Sequence, residues 1–170
     1  AAGSASPLAN LSRLVIAQPR PLSPQENVAL DAWVRGGGRL LLLADPALTQ
    51  HSDFPLGDPR RPQAVALLSP ILARWGLELT FDDAQPFGER MQAGPVAPLP
   101  VNLAGRWRIT PAPAGGGQCR TLADGLVAIC TLGAGRVVAV ADAAALEPGD
   151  PDGTRRKALG WLLDEAQRDR

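Results

Sequence analysis

Two short apolar runs flank an amphipathic segment near the start of the chain. The runs Leu14–Ala17 and Leu40–Ala44 contain no polar residue, which is typical of strands buried on both faces of a parallel sheet. Between them, Ser23 and Glu26 have the spacing of a capping box, and Pro24 occupies the first helical position. The pattern therefore predicts a right-handed strand–helix–strand unit.

The helix of this unit has an apolar stripe and a clear end. Its stripe residues recur at helical spacing: Val28, Ala29, Ala32 and Trp33, widened by Leu30 and Val34. Gly36–Gly38 follows, and glycine adopts the left-handed conformation that ends helices without a steric penalty. The stripe predicts which face of the helix packs against the sheet.

The middle of the chain gives a weaker pattern. A second helix is predicted over Gln63–Trp75, ended by Gly76, and a strand over Leu77–Phe81. The segments Leu99–Leu103 and Arg106–Thr110 lie in a proline-rich region. They are predicted to be strands at the edge of the sheet, where proline is tolerated.

The last third of the chain predicts a strand meander and a terminal helix. The strands are Cys119–Leu122, Leu126–Leu132 and Arg136–Ala141, and the helix is Thr154–Gln167. An Asp-Gly pair, residues 124 and 125, separates the first two strands, and such a pair between apolar runs is a strong hairpin signal. The residues alone thus predict an α/β domain whose last three strands are antiparallel and are followed by a helix.

Length and charge restrict the classes of function. The chain has 170 residues and a formal net charge of zero, which suits a lead-in segment, residues 1–12, followed by one domain, residues 13–170. The neutral charge argues against binding to nucleic acid or to an anionic membrane surface. No apolar run has the length of a membrane-spanning helix, so we expect membrane association only through flanking segments.

The glycine clusters predict no cofactor. Gly36–Gly38 lies between a helix and a strand, whereas phosphate-binding glycines follow a strand and precede a helix. His51 lies in a loop with Asp53 and Asp58, without the ligand spacing of a zinc site. We expect neither a cofactor nor a bound metal.

Two segments carry a resemblance to a known family. Gly36–Pro46, with the sequence GGGRLLLLADP, and Gly133–Asp142, with the sequence GAGRVVAVAD, resemble the soluble domain of auxiliary components of uncharacterised bacterial ABC transporters, including the gliding-motility type. The resemblance extends over residues 13–167. It implies a flavodoxin-like, class I glutamine amidotransferase-like three-layer sandwich, with a mostly parallel sheet and an antiparallel C-terminal hairpin extension.

The resemblance also implies a function and a location. Domains of this family lie on the outer face of the bacterial inner membrane, on its periplasmic side, and have lost the catalytic residues of amidotransferases. We therefore expect a non-catalytic binding or assembly domain whose partner is the transporter's permease or ATPase, or another envelope protein. The alternative is a module that binds a small molecule, a sugar or a nucleotide, at the carboxyl edge of the sheet.

An enzymatic interpretation depends on Cys130. The sequence GLVAICTLG around it partly resembles the nucleophile elbow of active amidotransferases, where a histidine activates the cysteine. Here a strand rather than a helix follows Cys130, and the single histidine, His51, lies far upstream. A cysteine-dependent hydrolase or amidotransferase remains the less favoured alternative.

The predicted hairpin places the two cysteines opposite each other. If residues 124 and 125 form a two-residue turn, paired residue numbers sum to 249, and Cys119 pairs with Cys130. Cross-strand Cβ atoms lie ~4.5–5.5 Å apart, close to disulfide reach. Counting from this turn makes the pair a hydrogen-bonded one, which suits a bridge less well. The sequence leaves both a disulfide and free thiols open.

Polar residues at strand ends form a candidate ligand site. Gln18, Asp45 and Asp142 follow predicted strands, and open α/β folds bind ligands outside the carboxyl ends of their strands. The plainer interpretation is that aspartates at these positions end strands and cap turns, and the residue types favour it.

One aromatic residue is a candidate for an interface. Trp107 lies between Arg106 and Arg108 on a predicted edge strand, and exposed tryptophan beside arginine is typical of protein interfaces. The alternative, which the sequence favours, is an ordinary edge-strand residue.

Overall fold

The computed structural model describes residues 7–169. Residues 1–6 of the predicted lead-in and residue 170 of the predicted domain lie outside the described residues. The elements, in chain order, are β1 (Arg13–Ala17), α1 (Pro24–Arg35), β2 (Arg39–Leu43), α2 (Ser69–Trp75), β3 (Leu77–Thr80), β4 (Arg90–Gln92), β5 (Leu99–Val101), β6 (Arg106–Ile109), β7 (Gln118–Leu122), β8 (Val127–Leu132), β9 (Gly135–Val140) and α3 (Thr154–Gln167).

The main sheet is mixed rather than mostly parallel. Its strand order is β1-β2-β9-β8-β7. The β1–β2 and β2–β9 pairs are parallel, whereas β9–β8 and β8–β7 are antiparallel. The predicted strand–helix–strand unit and C-terminal meander are therefore confirmed. The flavodoxin-like, class I amidotransferase-like prediction is wrong, because antiparallel strands make up half of the pairings in this sheet.

The middle of the chain forms two small sheets of its own. β3 pairs antiparallel with β6, and β4 pairs antiparallel with β5. Short strands do form within the predicted segments 99–103 and 106–110, but they are not edge strands of the main sheet. Residues 77–109 thus add no further strand–helix repeat to the parallel part of the fold.

Helix α1 begins as predicted, but only part of its predicted stripe is buried. Ser23 and Glu26 form a complete capping box. The buried residues are Leu30, Asp31 and Val34, whereas Val28 is 69% exposed. Leu30 and Val34 of the predicted stripe are therefore confirmed as inward, whereas Val28 was wrongly placed, because the polar residue Asp31 belongs to the inner face.

Helix α2 is shorter than predicted. It spans Ser69–Trp75, with Pro70 in its first turn, rather than the whole of residues 63–75. A proline inside a longer helix would remove one hydrogen bond and clash with the preceding turn, so the helix begins just before Pro70. Gly76 ends it in the left-handed conformation, with φ 83°.

Helices α1 and α3 cover opposite faces of β9. Successive strand residues point to opposite faces of a sheet. Gly135 lies against α1, where an added Cβ would come within 1.7 Å of the Val34 carbonyl oxygen. The next side chain, Arg136, reaches α3 and pairs with Glu165. Strands β2 and β9 are consequently buried on both sides.

The contact at Gly135 gives a stability prediction. Gly135→Ala forces α1 away from β9 or prevents folding, and we expect the free energy of unfolding to fall by about 3 kcal/mol or more. Gly160→Ala is the matched control, because an added Cβ there meets no atom within 4 Å. Within helix α3 this change should stabilise the protein by about 0.5–1 kcal/mol. Denaturant unfolding measures both, and equal effects would contradict the packing described.

Candidate functional site

The carboxyl ends of β2 and β9 bring two predicted site residues together. Leu43 pairs with Val140 in parallel register, so Asp45 and Asp142, each two residues further along, occupy matching positions. Each is only 2% exposed. The structure therefore places the two carboxyl groups side by side beneath the surface.

Asp45 is held by backbone groups and by Gln18. Its Oδ1 accepts a hydrogen bond from the Ala47 amide at 2.7 Å, and its Oδ2 accepts one from the Ala143 amide at 3.3 Å. The Gln18 side chain accepts from the Asp45 amide at 2.8 Å. Gln18 Nε2 donates to the carbonyl oxygens of Asp45 and Gln63, at 2.9 and 2.8 Å.

Asp142 is held in the same way. Its Oδ1 accepts from the Ala144 amide at 2.6 Å, and its Oδ2 accepts from the Asn102 amide at 2.8 Å. Each of the four carboxyl oxygens of the pair thus faces a backbone donor. These contacts match the turn-capping interpretation: the two aspartates bind the backbone at residues 47, 102 and 143–144 and hold it at the ends of the strands.

Burial sets the protonation of both carboxyl groups. It raises the pKa of Asp45 to about 6, against the opposing effect of the amides of Ala47 and Ala143. It raises the pKa of Asp142 to about 7, with a smaller contribution from the neighbouring Asp45 charge. Both carboxyl groups therefore lose their protons close to neutral pH, well above the ordinary pKa of an aspartate.

The cysteines pair in the predicted register. Cys119 lies opposite Cys130, and the flanking pairs also sum to 249. The structure joins the two sulfurs in a disulfide. The Cα–Cα distance of 4.1 Å is that of a non-hydrogen-bonded pair, so the expected hydrogen-bonded geometry was wrong. The reason is the length of the turn. β7 ends at Leu122 and β8 starts at Val127, so four residues connect the strands instead of two. Hydrogen-bonded and non-hydrogen-bonded pairs alternate along the hairpin, and the longer turn exchanges the two kinds of pair at each position.

This bond also fixes the chemistry available at Cys130. The residue is fully buried and no described cysteine is free. A thiolate nucleophile requires a free sulfur in an accessible site. In this structure Cys130 is a structural residue of the sheet.

The predicted interface residues separate into one buried and two exposed side chains. Trp107 is only 4% exposed, because it lies on the inner face of β6, so the expectation of an exposed tryptophan was wrong. Arg106 pairs with Asp124 at 2.8 Å, and Arg108 pairs with Glu78, all at the surface. The two arginines remain available for contacts, but without the aromatic partner.

Sequence reasoning missed a buried polar cluster around Asp31. Its carboxylate accepts hydrogen bonds from Arg35, Arg74 and the Trp75 indole, at 2.6–3.0 Å. Burial acts to raise the pKa of Asp31, but these donors outweigh it and the pKa is lowered. The signal was an aspartate flanked by Leu30 and followed four residues later by Arg35. The cluster fastens α1 to α2.

Two further features bear on the choice of function. Among residues 7–169 no helix combines the length and the apolar character needed to cross a membrane. His51 and Asp53 lie 3.5 Å apart, and both are almost fully exposed. Within the same residues no group of three or more potential metal ligands converges.

Comparisons with known proteins concern the fold alone. No family model matches the chain, and no curated protein matches it. Among solved structures it resembles the exo-β-1,4-mannosidase Op5Man5 from Opitutaceae bacterium strain TAV5, with a TM-score of 0.51 and 19% identity over 94% of this chain and 24% of that chain. A catalytic mutant of Gan42B, a GH42 β-galactosidase from G. stearothermophilus, gives a TM-score of 0.54 and 14% identity over 91% of this chain and 21% of that one.

A β-galactosidase from Rahnella sp. R3 matches similarly, with a TM-score of 0.53 and 15% identity over 91% of this chain and 22% of that chain. The chain thus spans between about a fifth and a quarter of these glycoside hydrolases. The matches are parts of glycosidases, which is a second finding against the flavodoxin-like prediction.

The buried carboxyl pair predicts an unusual dependence of stability on pH. The native state binds protons at Asp45 and Asp142 more tightly than the unfolded chain does. The stabilisation is therefore complete below about pH 4 and is lost as the pH rises through about 6 and 7. Between pH 4 and pH 7.5 we expect the two groups together to reduce the free energy of unfolding by about 6 kcal/mol, at about 1.4 kcal/mol for each unit of pKa shift. Urea titrations at a series of pH values measure this slope.

Matched variants separate this contribution from the rest of the protein. Asp142→Asn removes one of the two titrating groups and should reduce the slope, although its amide also faces a backbone donor and costs stability at every pH. Asp164→Asn, on the exposed face of α3, should leave the slope unchanged. A wild-type protein that gains stability from pH 4 to pH 7.5 would contradict the assignment.

The disulfide gives a separate prediction. The bridge closes a loop between residues separated by 11 positions. Replacing both cysteines by serine should lower the free energy of unfolding by about 3 kcal/mol, since the unfolded chain regains loop entropy. Denaturant unfolding measures this loss, and intact mass should increase by two hydrogens on reduction. Alkylation of both thiols in unreduced, denatured protein would show instead that they are free.

Proposed function

We propose that this chain is a non-catalytic binding and assembly domain that acts outside the cytoplasm. The observation that carries the proposal is the outer edge of strand β1, with which no segment of residues 7–169 pairs. This edge offers a row of backbone donors and acceptors to another polypeptide. Strand addition to such an edge is a common mode of protein recognition.

The hydrogen bonds of β1 define which groups are free. Gln18, just after the strand, donates its amide to the Leu43 carbonyl at 2.9 Å, and the Ser12 carbonyl accepts from the Arg39 amide at 3.0 Å. Residues that bond to one neighbour alternate along a strand. Even-numbered residues therefore face β2, and the backbone groups of Arg13, Val15 and Ala17 face outward.

The two edges of the main sheet differ in their protection. On the β7 side, β6 lies alongside, and the Trp107 amide donates to the Gly125 carbonyl at 2.7 Å. On the β1 side, Val15 is 50% exposed and no described segment pairs with the strand. Soluble proteins guard exposed edges with charges, prolines or bulges. The centre of β1 has no charge, proline or bulge, which favours a partner polypeptide that pairs with this edge.

The buried groups give no support to a reaction. Glycoside hydrolysis needs two carboxyl groups with room for a sugar between them. Asp45 and Asp142 instead lie beneath the surface and accept hydrogen bonds from backbone amides. Cys130 is bonded to Cys119. The likeness to glycosidases therefore contributes a fold to this proposal, not an activity.

The disulfide supports a location outside the cytoplasm. Disulfides persist in oxidising compartments such as the bacterial periplasm and are rare in the cytosol. Together with the resemblance of segments 36–46 and 133–142 to transporter auxiliary domains, this leads us to propose the periplasmic side of the inner membrane. The proposed partner is an ABC-transporter permease or its complex with the ATPase.

Photo-crosslinking tests the edge and the partner together. A photoreactive phenylalanine replaces Val15 in the full-length protein, which is irradiated in its native membranes, and mass spectrometry identifies the adducts. The matched control carries the same group at Val28, which is more exposed but lies on helix α1. We expect adducts from position 15 in clear excess over position 28.

The identity of the adduct decides between parts of the proposal. A permease adduct supports the transporter assignment. An adduct with another envelope protein supports the binding and assembly function but removes the transporter. Equal yields at positions 15 and 28, with intact and abundant bait, would overturn the role of the β1 edge.

A further inference from the structure

Three polar side chains from adjacent strands line one depression on the main sheet. Gln118 on β7 lies opposite Thr131 on β8, and Thr131 lies opposite Arg136 on β9. Residues that lie directly opposite each other in paired strands point to the same face of a sheet. Together with Gly116 and Gly133, the three residues line a depression of about 500 Å³. The three side chains therefore share one face, and this face borders the depression.

All three side chains have hydrogen-bonding groups available to a ligand. Among residues 7–169, the side chains of Gln118 and Thr131 make no hydrogen bond. Arg136 donates from Nε to the Glu165 carbonyl oxygen at 2.8 Å and from Nη2 to the Glu165 carboxylate. Its Nη1 has no acceptor among the same residues and, unlike Nη1 of Arg39, it is not shielded from solvent. The depression thus presents a guanidinium donor, a hydroxyl group and an amide.

The guanidinium of Arg136 is held in place before any ligand binds. The residue is only 9% exposed, and its two hydrogen bonds to Glu165 fix the plane of the group. A side chain that is already ordered loses little conformational entropy when it binds a ligand. Arg136 is therefore a preformed donor on the wall of the depression.

The strands beside the depression carry like charges in register. Arg13, Arg39 and Arg136 lie directly opposite one another on β1, β2 and β9. Like charges in such positions repel one another. Asp169 pairs with Arg39 at 3.0 Å, whereas Arg13 is exposed and has no ion pair among residues 7–169. The row is therefore only partly neutralised.

Further arginines surround the single carboxylate that contacts Arg136. Glu165 pairs with Arg136 and with Arg168, the latter at 3.0 Å, and lies 3.7 Å from Arg120. Arg120 and Arg168 are both more than half exposed. Among residues 7–169, the five arginines of this region thus contact two carboxylates. A bound anion would reduce the repulsion between these arginines.

The arrangement of the three donors favours a tetrahedral oxyanion. Neighbouring strands lie about 4.8 Å apart, and Thr131 occupies the middle strand. Gln118 and Arg136 have longer side chains, which can reach an anion above Thr131 from either side. A phosphate monoester has three strong acceptor oxygens and a charge close to −2 near neutral pH. It therefore matches both the donors and the excess of positive charge.

We propose that this depression binds the phosphate group of a small phosphorylated ligand. Arg136 Nη1, the Thr131 hydroxyl and the Gln118 amide donate hydrogen bonds to the phosphate oxygens, and such charge-assisted bonds are strong. The other arginines attract the anion. The two glycines of the wall have no side chain that would obstruct the rest of the ligand. The proposal does not depend on the β1 edge, because the depression lies on β7, β8 and β9.

Calorimetry at low ionic strength tests the chemistry of the ligand. The probes are inorganic phosphate and D-glucose 6-phosphate. The controls are D-glucose, which lacks the phosphate, and succinate, which has two charges but no tetrahedral group. We expect at least one phosphate probe to bind with a Kd of about 1 mM or less, at least about tenfold more tightly than either control. If neither phosphate probe binds at about 20 mM, or if succinate or glucose binds equally well, the proposal is wrong.

Variants assign the binding to the depression. Thr131→Val removes the hydroxyl group at nearly constant volume and should weaken binding of the same probe about tenfold. Thr121→Val is the matched control, because Thr121 is also half-buried but lies three residues from Gln118 along β7, on the other face of the sheet. This control should bind as the wild type does.

Two further variants test the remaining donors. Arg136→Lys retains the charge but removes Nη1 and should weaken binding about tenfold. If this variant does not fold because Glu165 loses its partner, Gln118→Leu provides a second test, since Gln118 is exposed and its replacement leaves Glu165 paired. Unchanged binding in folded Thr131→Val and Gln118→Leu would refute the site.

Discussion

Burial of β2 and β9 on both faces is the constraint on which the rest of the structure depends. Residues 40–44 and 137–141 are apolar and almost inaccessible to water, so helices must cover each side. Close approach of α1 at Gly135 and the Arg136–Glu165 pair with α3 provide that cover. Asp45 and Asp142 follow the carboxyl ends of these two buried strands. The buried backbone groups around them must each have a hydrogen-bond partner.

Burial and hydrogen bonding have opposite effects on the pKa values of these two aspartates. Four amides favour the charged carboxylates, whereas removal of water favours the protonated forms, and removal of water has the larger effect. The same competition ends differently at Asp31, where two guanidinium groups and an indole supply the donors. Charged donors outweigh burial there because their hydrogen bonds to a carboxylate are stronger than those of neutral amides.

Local signals predicted the parts of the fold that local physics determines. The capping box of α1, the bounds of α3 and the β7–β8 register follow from residues close in sequence, and the structure agrees. The flavodoxin-like sheet came from the family resemblance, and it failed together with the prediction that segments 99–103 and 106–110 form edge strands of the main sheet. Residues 77–109 pair among themselves instead, and this choice depends on distant contacts. Trp107 was misplaced for the same reason: which face of β6 is inward depends on the sheet it joins. Asp45 and Asp142 were placed together correctly because parallel strands end at one edge, but their burial was not visible in the sequence.

Arg39 contacts residues close to both ends of the described part of the chain. Its amide donates to the Ser12 carbonyl at 3.0 Å, and its guanidinium pairs with Asp169 at 3.0 Å. A mechanical load applied between these two ends would therefore act at the start of the β1–β2 ladder. Such a load peels parallel strands apart one hydrogen bond at a time, rather than shearing all of them together. Under tension, the outer strand would yield at low force while the disulfide-bonded hairpin stayed closed.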